Sequence, residues 1–117
     1  MEPSFLVPQT TVHANGDGPG LPLAPNRPPA LLITLGIVKT VEQELLHVFI
    51  QGSRNGTDWT ERLAVFPEKF YAGVSSVLVD LSQHIEVEYV RAQWKAVRWG
   101  RGDKTPVFDF YVFAEPV

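Results

Sequence analysis

From Ala30 onward the apolar residues fall on every second position, a period that leaves little room for anything but strands. Leu31, Ile33, Leu35 and Ile37 alternate in this way, as do Leu46, Val48 and Ile50, and later Val77, Val79 and Leu81. Val90, Ala92, Trp94 and Ala96 share one face of a further strand, and Phe108, Phe110, Val112 and Ala114 share one face of the next. Successive side chains of a β-strand point to opposite faces, so each set marks a side that meets a core. Turn-forming residues separate the sets: Gly52-Ser53-Arg54-Asn55-Gly56, Pro67, Gly73 and Gly100-Arg101-Gly102-Asp103. Residues 41–46 and 67–71 are the only stretches where a helical turn is expected. A chain of 117 residues is one domain's worth. The expected fold class is all-β, an antiparallel β-sandwich or jelly roll.

The segment before this pattern has a different composition. Seven of the ten prolines (Pro3, Pro8, Pro19, Pro22, Pro25, Pro28 and Pro29) lie before residue 30, with the run Gly16-Asp17-Gly18-Pro19-Gly20. Proline fixes φ and lacks a donor, so neither a helix nor a central strand fits there. Apolar residues are interleaved throughout, which a solvated leader would not carry. Residues 1–29 are therefore expected to form an extended arm in front of a sandwich at residues 30–117. Phe5, Leu6, Val7, Leu21 and Leu23 would dock it on its own sandwich or on a neighbouring subunit. The arm's reach, on the order of 90 Å when extended, favours the neighbour. On that reading, removing residues 2–27 leaves a folded sandwich that no longer assembles, or that aggregates through the uncovered sheet.

Several strands are apolar on both faces. Leu45, His47 and Phe49 oppose Leu46, Val48 and Ile50, while Tyr111 and Phe113 oppose Phe110 and Val112. The outer face of an antiparallel sheet is normally polar. These outer residues are therefore expected to lie under the arm or a partner, with His47 read as a core histidine.

The clearest local motif starts at Gly52-Ser53 and runs through Asn55-Gly56 to Trp59. Asn-Gly suits the positive φ of a tight hairpin, and Trp59 is expected to fold back and cap the core. With Val87-Glu88-Tyr89-Val90-Arg91-Ala92 and a closing strand at residues 110–115, this hairpin resembles those of discoidin-type domains, the galactose-binding-like sandwiches also found in coagulation factors. The resemblance covers residues 30–115. The chain lacks the family's bracketing disulfide and its recognisable calcium-site loop, and Asn55 stands where the family usually has aspartate. No binding residue is carried over. The resemblance implies a non-catalytic recognition or adhesion module.

Half of the basic residues lie within residues 91–104. Alternation sets Tyr89, Arg91 and Lys95 on one strand face, and Arg98, Trp99, Arg101 and Lys104 follow toward the Gly-rich loop. Aromatic and cationic side chains together suit sugar stacking, carboxylate capture or a polar protein interface. A formal net charge of −3 offers no field for a polyanion, so nucleic acid is not an expected partner.

Catalysis is not expected. The three histidines are far apart in sequence and show no zinc-ligand spacing. Glu42 with Glu44, and Glu86 with Glu88, read as solvated strand ends. There is no cysteine, which excludes a disulfide, a thiolate metal site and a cysteine nucleophile. Neither a metal nor another cofactor is expected. The start shows no basic and apolar signal-peptide pattern, and the most apolar run, residues 30–38, is far short of the ~20 residues a spanning helix needs. A soluble protein of cytoplasmic synthesis is expected, leaving the cell, where it does, within a particle. Two roles compete. The first is a structural subunit of a virion, tail, appendage or similar particle, assembling with itself or with other subunits through the arm. The second is a discoidin-like module that binds carbohydrate or a cell-surface protein.

Overall fold

The computed structural model describes residues 1–117 and contains nine strands. They are β1 (Ser4–Val12), β2 (Gly16–Asp17), β3 (Leu21–Pro22), β4 (Ala30–Thr40), β5 (Glu44–Ser53), β6 (Glu61–Val65), β7 (Gly73–Asp80), β8 (Tyr89–Arg98) and β9 (Phe108–Pro116). Two antiparallel sheets pack together as an all-β sandwich. Sheet A has the order β1-β9-β4-β7; sheet B has the order β2-β8-β5-β6, with β3 also paired to β8. The five alternating sets of the sequence are β4, β5, β7, β8 and β9.

The inward faces are the ones the period-two pattern marks. Leu31, Ile33 and Leu35 of β4 and Phe108, Phe110 and Val112 of β9 face Leu46, Val48 and Ile50 of β5 and Val90 and Ala92 of β8, all buried. Trp94 meets Phe110 edge to face at 5.4 Å between ring centroids, joining the two sheets through a favoured aromatic geometry. Neither expected helical turn forms. Residues 41–43 are a turn, residues 44–46 already belong to β5, and Leu46 and Lys69 form a single bridge across the sheet. The one helical element is a 3₁₀ turn at Leu81–Gln83, capped by the Asp80 carboxylate.

Residues 1–29 are not a separate arm, and this corrects the sequence-based division of the chain. β1 is the edge strand of sheet A, paired with β9 from Ser4↔Ala114 to Val12↔Phe108. The chain then crosses to sheet B, where β2 and β3 run antiparallel beside β8. The crossing is stitched: the Trp94 indole N–H donates to the Ala14 carbonyl at 3.0 Å, and the Ala96 N–H donates to Asn15 Oδ1 at 2.9 Å. Leu6, Val7 and Leu23 are core residues of their own sandwich. Fully burying each such side chain contributes roughly 1.5–3 kcal/mol. Of the five expected arm contacts, only Phe5 is largely exposed, and Leu21 packs partly buried against the core. At the segment's far end, Arg27 Nη2 donates to the carbonyls of Leu81 and His84. Its reach is spent on wrapping one side of its own fold.

The outer apolar residues are covered largely by neighbouring side chains. Phe49 is only 4% exposed on the outer face of sheet B. The Arg62 guanidinium lies 4.4 Å from its ring centroid, Lys95 Nζ lies at 5.6 Å, and His47 packs at 4.3 Å. His47 is thus a half-buried outer residue and not a core histidine. On sheet A, Phe5 sets its ring edgewise against Tyr111 and Phe113.

Candidate functional site

At one end of the sandwich the β4–β5 turn meets the segment after β8. The residue that joins them is Glu44, which alternation turns inward and which is only 1% exposed. Its carboxylate accepts from the Thr40 hydroxyl and the Val41 N–H on one oxygen, and from the Val107 N–H at 2.9 Å on the other. A buried carboxylate needs such donors, and here they tie two loops to one point. This overturns the reading of Glu44 as a solvated strand end.

Beside Glu44, Gln43 has a φ of +59°, a left-handed conformation uncommon for a residue other than glycine. Its carbonyl accepts from the Trp99 N–H at 2.8 Å. Its side chain fills the space next to Gly100, where a Cβ would collide with Gln43 Oε1. Gly100 also has a positive φ, +101°, so no other residue fits readily there. The two loops are thereby locked around each other.

With the β6–β7 connection they border an open cleft of about 550 Å³, lined by Thr40, Glu42, Gln43, Phe70, Tyr71 and Trp99 among others. Phe70 and Trp99 meet edge to face at 6.2 Å, both partly exposed, and Tyr71 is 82% exposed. Aromatic rings at an open rim, beside a carboxylate and an amide, can stack on a flat apolar face while hydrogen-bonding its polar edge.

The basic and aromatic set read from the sequence does not gather into one surface. Tyr89, Arg91 and Lys95 do share the outer face of sheet B. Arg91 is engaged there: Nε donates to Gln51 Oε1 at 2.8 Å, Nη2 lies 3.6 Å from Asp17, and the guanidinium lies 4.6 Å from the Trp59 ring centroid. Lys95 covers Phe49. Arg98 turns to the other face and donates to the Thr105 carbonyl at 3.2 Å. Arg101 and Lys104 are exposed in the β8–β9 loop. In that loop the Thr105 backbone N–H and side chain hold the Asp103 carboxyl below its usual range. Trp99 alone of the set lines the cleft. Its partners Phe70 and Tyr71 were missed because residues 67–71 read as a turn. The available signal was two adjacent aromatics that no strand face claimed.

The hairpin motif forms a polar turn between β5 and β6. Ser53 Oγ accepts from the N–H groups of Asn55 and Gly56, and Asn55 Oδ1 accepts from those of Thr57 and Asp58. Gly56 has a φ of +82°. Gly52 is buried against Val87. Trp59 does not cap the core. It lies half-buried on the outer side, under Arg91 and against Gly20, where a Cβ would sit 2.8 Å from the indole. A recess of about 310 Å³ beside this turn is lined mainly by polar side chains, of which Asn55 and Asp58 bond each other and Arg54 pairs with Glu86.

No helix of the protein is long and apolar enough to cross a membrane. The chain matches no family model and no curated protein.

Proposed function

We propose that this chain is a non-catalytic binding module whose end cleft takes a carbohydrate. The observation that carries the reading is the cleft itself: Phe70, Tyr71 and Trp99 form an open aromatic rim over Glu42 and Gln43. A pyranose presents a C–H face that packs on such rings and hydroxyls that bond a carboxylate and an amide. The left-handed Gln43 supports it, since a residue held in a sparsely populated conformation marks a place where the surroundings impose geometry. The discoidin-like hairpin supports the same class of role.

Tyr71→Ala and Trp99→Ala test the reading. Binding to a panel of immobilised neutral and acidic polysaccharides, followed by calorimetry on the strongest, should show at least a tenfold loss for each variant. The melting temperature of Tyr71→Ala should stay within about a degree of the parent, because so exposed a side chain contributes little to folding. Failure of the parent to bind any glycan, or equal binding by both variants, would overturn the assignment.

A second reading, a subunit of a larger particle, is favoured by a different feature. Sheet A exposes Phe5, Val38, Val74 and Leu78, an apolar set that suits contact between subunits. The cis docking of residues 1–29 removes the arm from that argument and leaves the sheet surface to carry it.

A further inference from the structure

We propose that β7 is a pairing edge for a second copy of this chain, joined antiparallel about a twofold axis at Ser76 so that sheet A runs on through both copies. The inference stands apart from the cleft and from what the cleft binds.

The first argument compares the sheet edges. An exposed edge strand offers unpaired backbone groups to another chain, and soluble proteins blunt such edges with prolines, charges, bulges or brevity. β1 has Pro3 before it and Pro8 within it, and its ladder to β9 slips register twice. β2 and β3 are two residues each, parted by Gly18-Pro19-Gly20. β6 is five residues long, begins with the exposed charges of Glu61 and Arg62, and also shifts register against β5. β7 has none of these devices. It is eight residues long, contains no proline and no basic residue, carries its only charge at Asp80, and pairs with β4 without a register break.

The second argument fixes the register. The Leu81 N–H donates to the Pro29 carbonyl at 2.9 Å, so the odd-numbered residues of β7 turn their backbone groups toward β4. Val74, Ser76 and Leu78 therefore turn theirs to the free edge. The same three side chains lie on the outer face, with Val74 69% and Leu78 63% exposed. Residues directly opposite in an antiparallel pair share a face. An axis at Ser76 sets Val74 of each copy against Leu78 of the other and Ser76 against itself, and every one of these pairs exchanges two backbone hydrogen bonds. An axis at Ser75 would set Val74 against Ser76 and Leu78 against Ala72; one at Val77 would set Val74 against Asp80. Axes at Val74 or Leu78 would pair one of these side chains with itself and leave the other outside the ladder of β7, so the Ser76 axis is the one that pairs both exposed apolar side chains within the strand.

A single strand edge buries less than the roughly 1,600 Å² of a standard stable interface, so the pair should be concentration-dependent, with dissociation on the order of micromolar. Sedimentation velocity of the full chain, raised from about 1 to about 500 μM, reads this. The parent should move from monomer to dimer. Ser76→Lys, which places two ammonium groups across the axis, should weaken pairing at least tenfold while keeping the circular dichroism and melting behaviour of the monomeric parent. The chain has no cysteine, so Ser76→Cys gives one thiol per copy, which mild oxidation should link into a covalent dimer. Thr57→Cys, in the exposed β5–β6 turn, should not link. A parent that stays monomeric at the highest concentration would overturn the proposal. So would a dimer indifferent to Ser76→Lys, or a polymer that grows without limit, because this contact closes on itself.

Discussion

Glu44 shows how much of the end cleft rests on one side chain. Truncation to alanine strips the Val41 and Val107 N–H groups of their acceptor, and an unsatisfied buried donor costs ~1–3 kcal/mol. Glu44→Ala should therefore lower the unfolding free energy by about 2–4 kcal/mol in denaturant titration. Glu44→Gln keeps one acceptor oxygen but sets its amide N–H groups against the other backbone donor, so it should still lose about 1–3 kcal/mol. Equal stability of alanine variant and parent would show that the two loops hold each other without the carboxylate. Nothing in the sequence singles Glu44 out from Glu42 two positions earlier. Both belong to a polar run at a strand start, and what separates them is that Glu44 turns inward beneath a loop more than sixty residues away. Alternation gives the direction of a side chain; it does not say which distant loop lies over it. His47 shows the same limit, since its strand was legible but the cations beside its outward face were not.

The strands that could be read are those whose two faces differ or whose length exceeds that of a turn, namely β4, β5, β7, β8 and β9. β2 and β3 are too short to show a period, and β6 carries only a weak one. β1 was hidden by Pro8, and the ladder explains how the proline is tolerated: pairing jumps from Val7↔Val112 to Thr10↔Phe110, leaving Pro8 without a partner. The short β2 and β3 segment is held down by side chains as well as by its own ladder, Trp59 over Gly20 above all. Trp59→Ala should cost about 1–3 kcal/mol, less than the ~3–5 of a fully buried aromatic. The loss should be local. Hydrogen exchange should speed up at the Gly18 and Leu23 amides, which donate to the Ala92 and Glu88 carbonyls, well before it does in β4 or β9. Uniform acceleration through both sheets would mean that Trp59 supports the core after all.

The molecule is closed along one side, where residues 1–29 pass from sheet A to sheet B, and open along the other, where β7 and β6 are the bare edges. Deleting residues 2–27 removes Leu6, Val7 and Leu23 from the core and uncovers β9 and β8 together. The truncated chain should be expanded, with dye-binding apolar surface and no cooperative melt, instead of the folded, non-assembling sandwich that a free arm implies. A sharp melt near the parent's temperature would restore the arm. The order of sheet A has a further meaning in time. β9 lies between β1 and β4, and it leaves the ribosome after both. β5, β6 and β8 of sheet B are complete once Arg98 has been made, whereas in sheet A only the β4–β7 pair can form and β1 has no neighbour until residues 108–116 follow. At ordinary synthesis speeds β1 waits roughly 5 to 20 seconds for its only ladder partner, and its apolar side stays uncovered while it waits. The β5–β6–β8 part of sheet B can thus form first, and β9 is the strand that closes sheet A by joining β1 to β4.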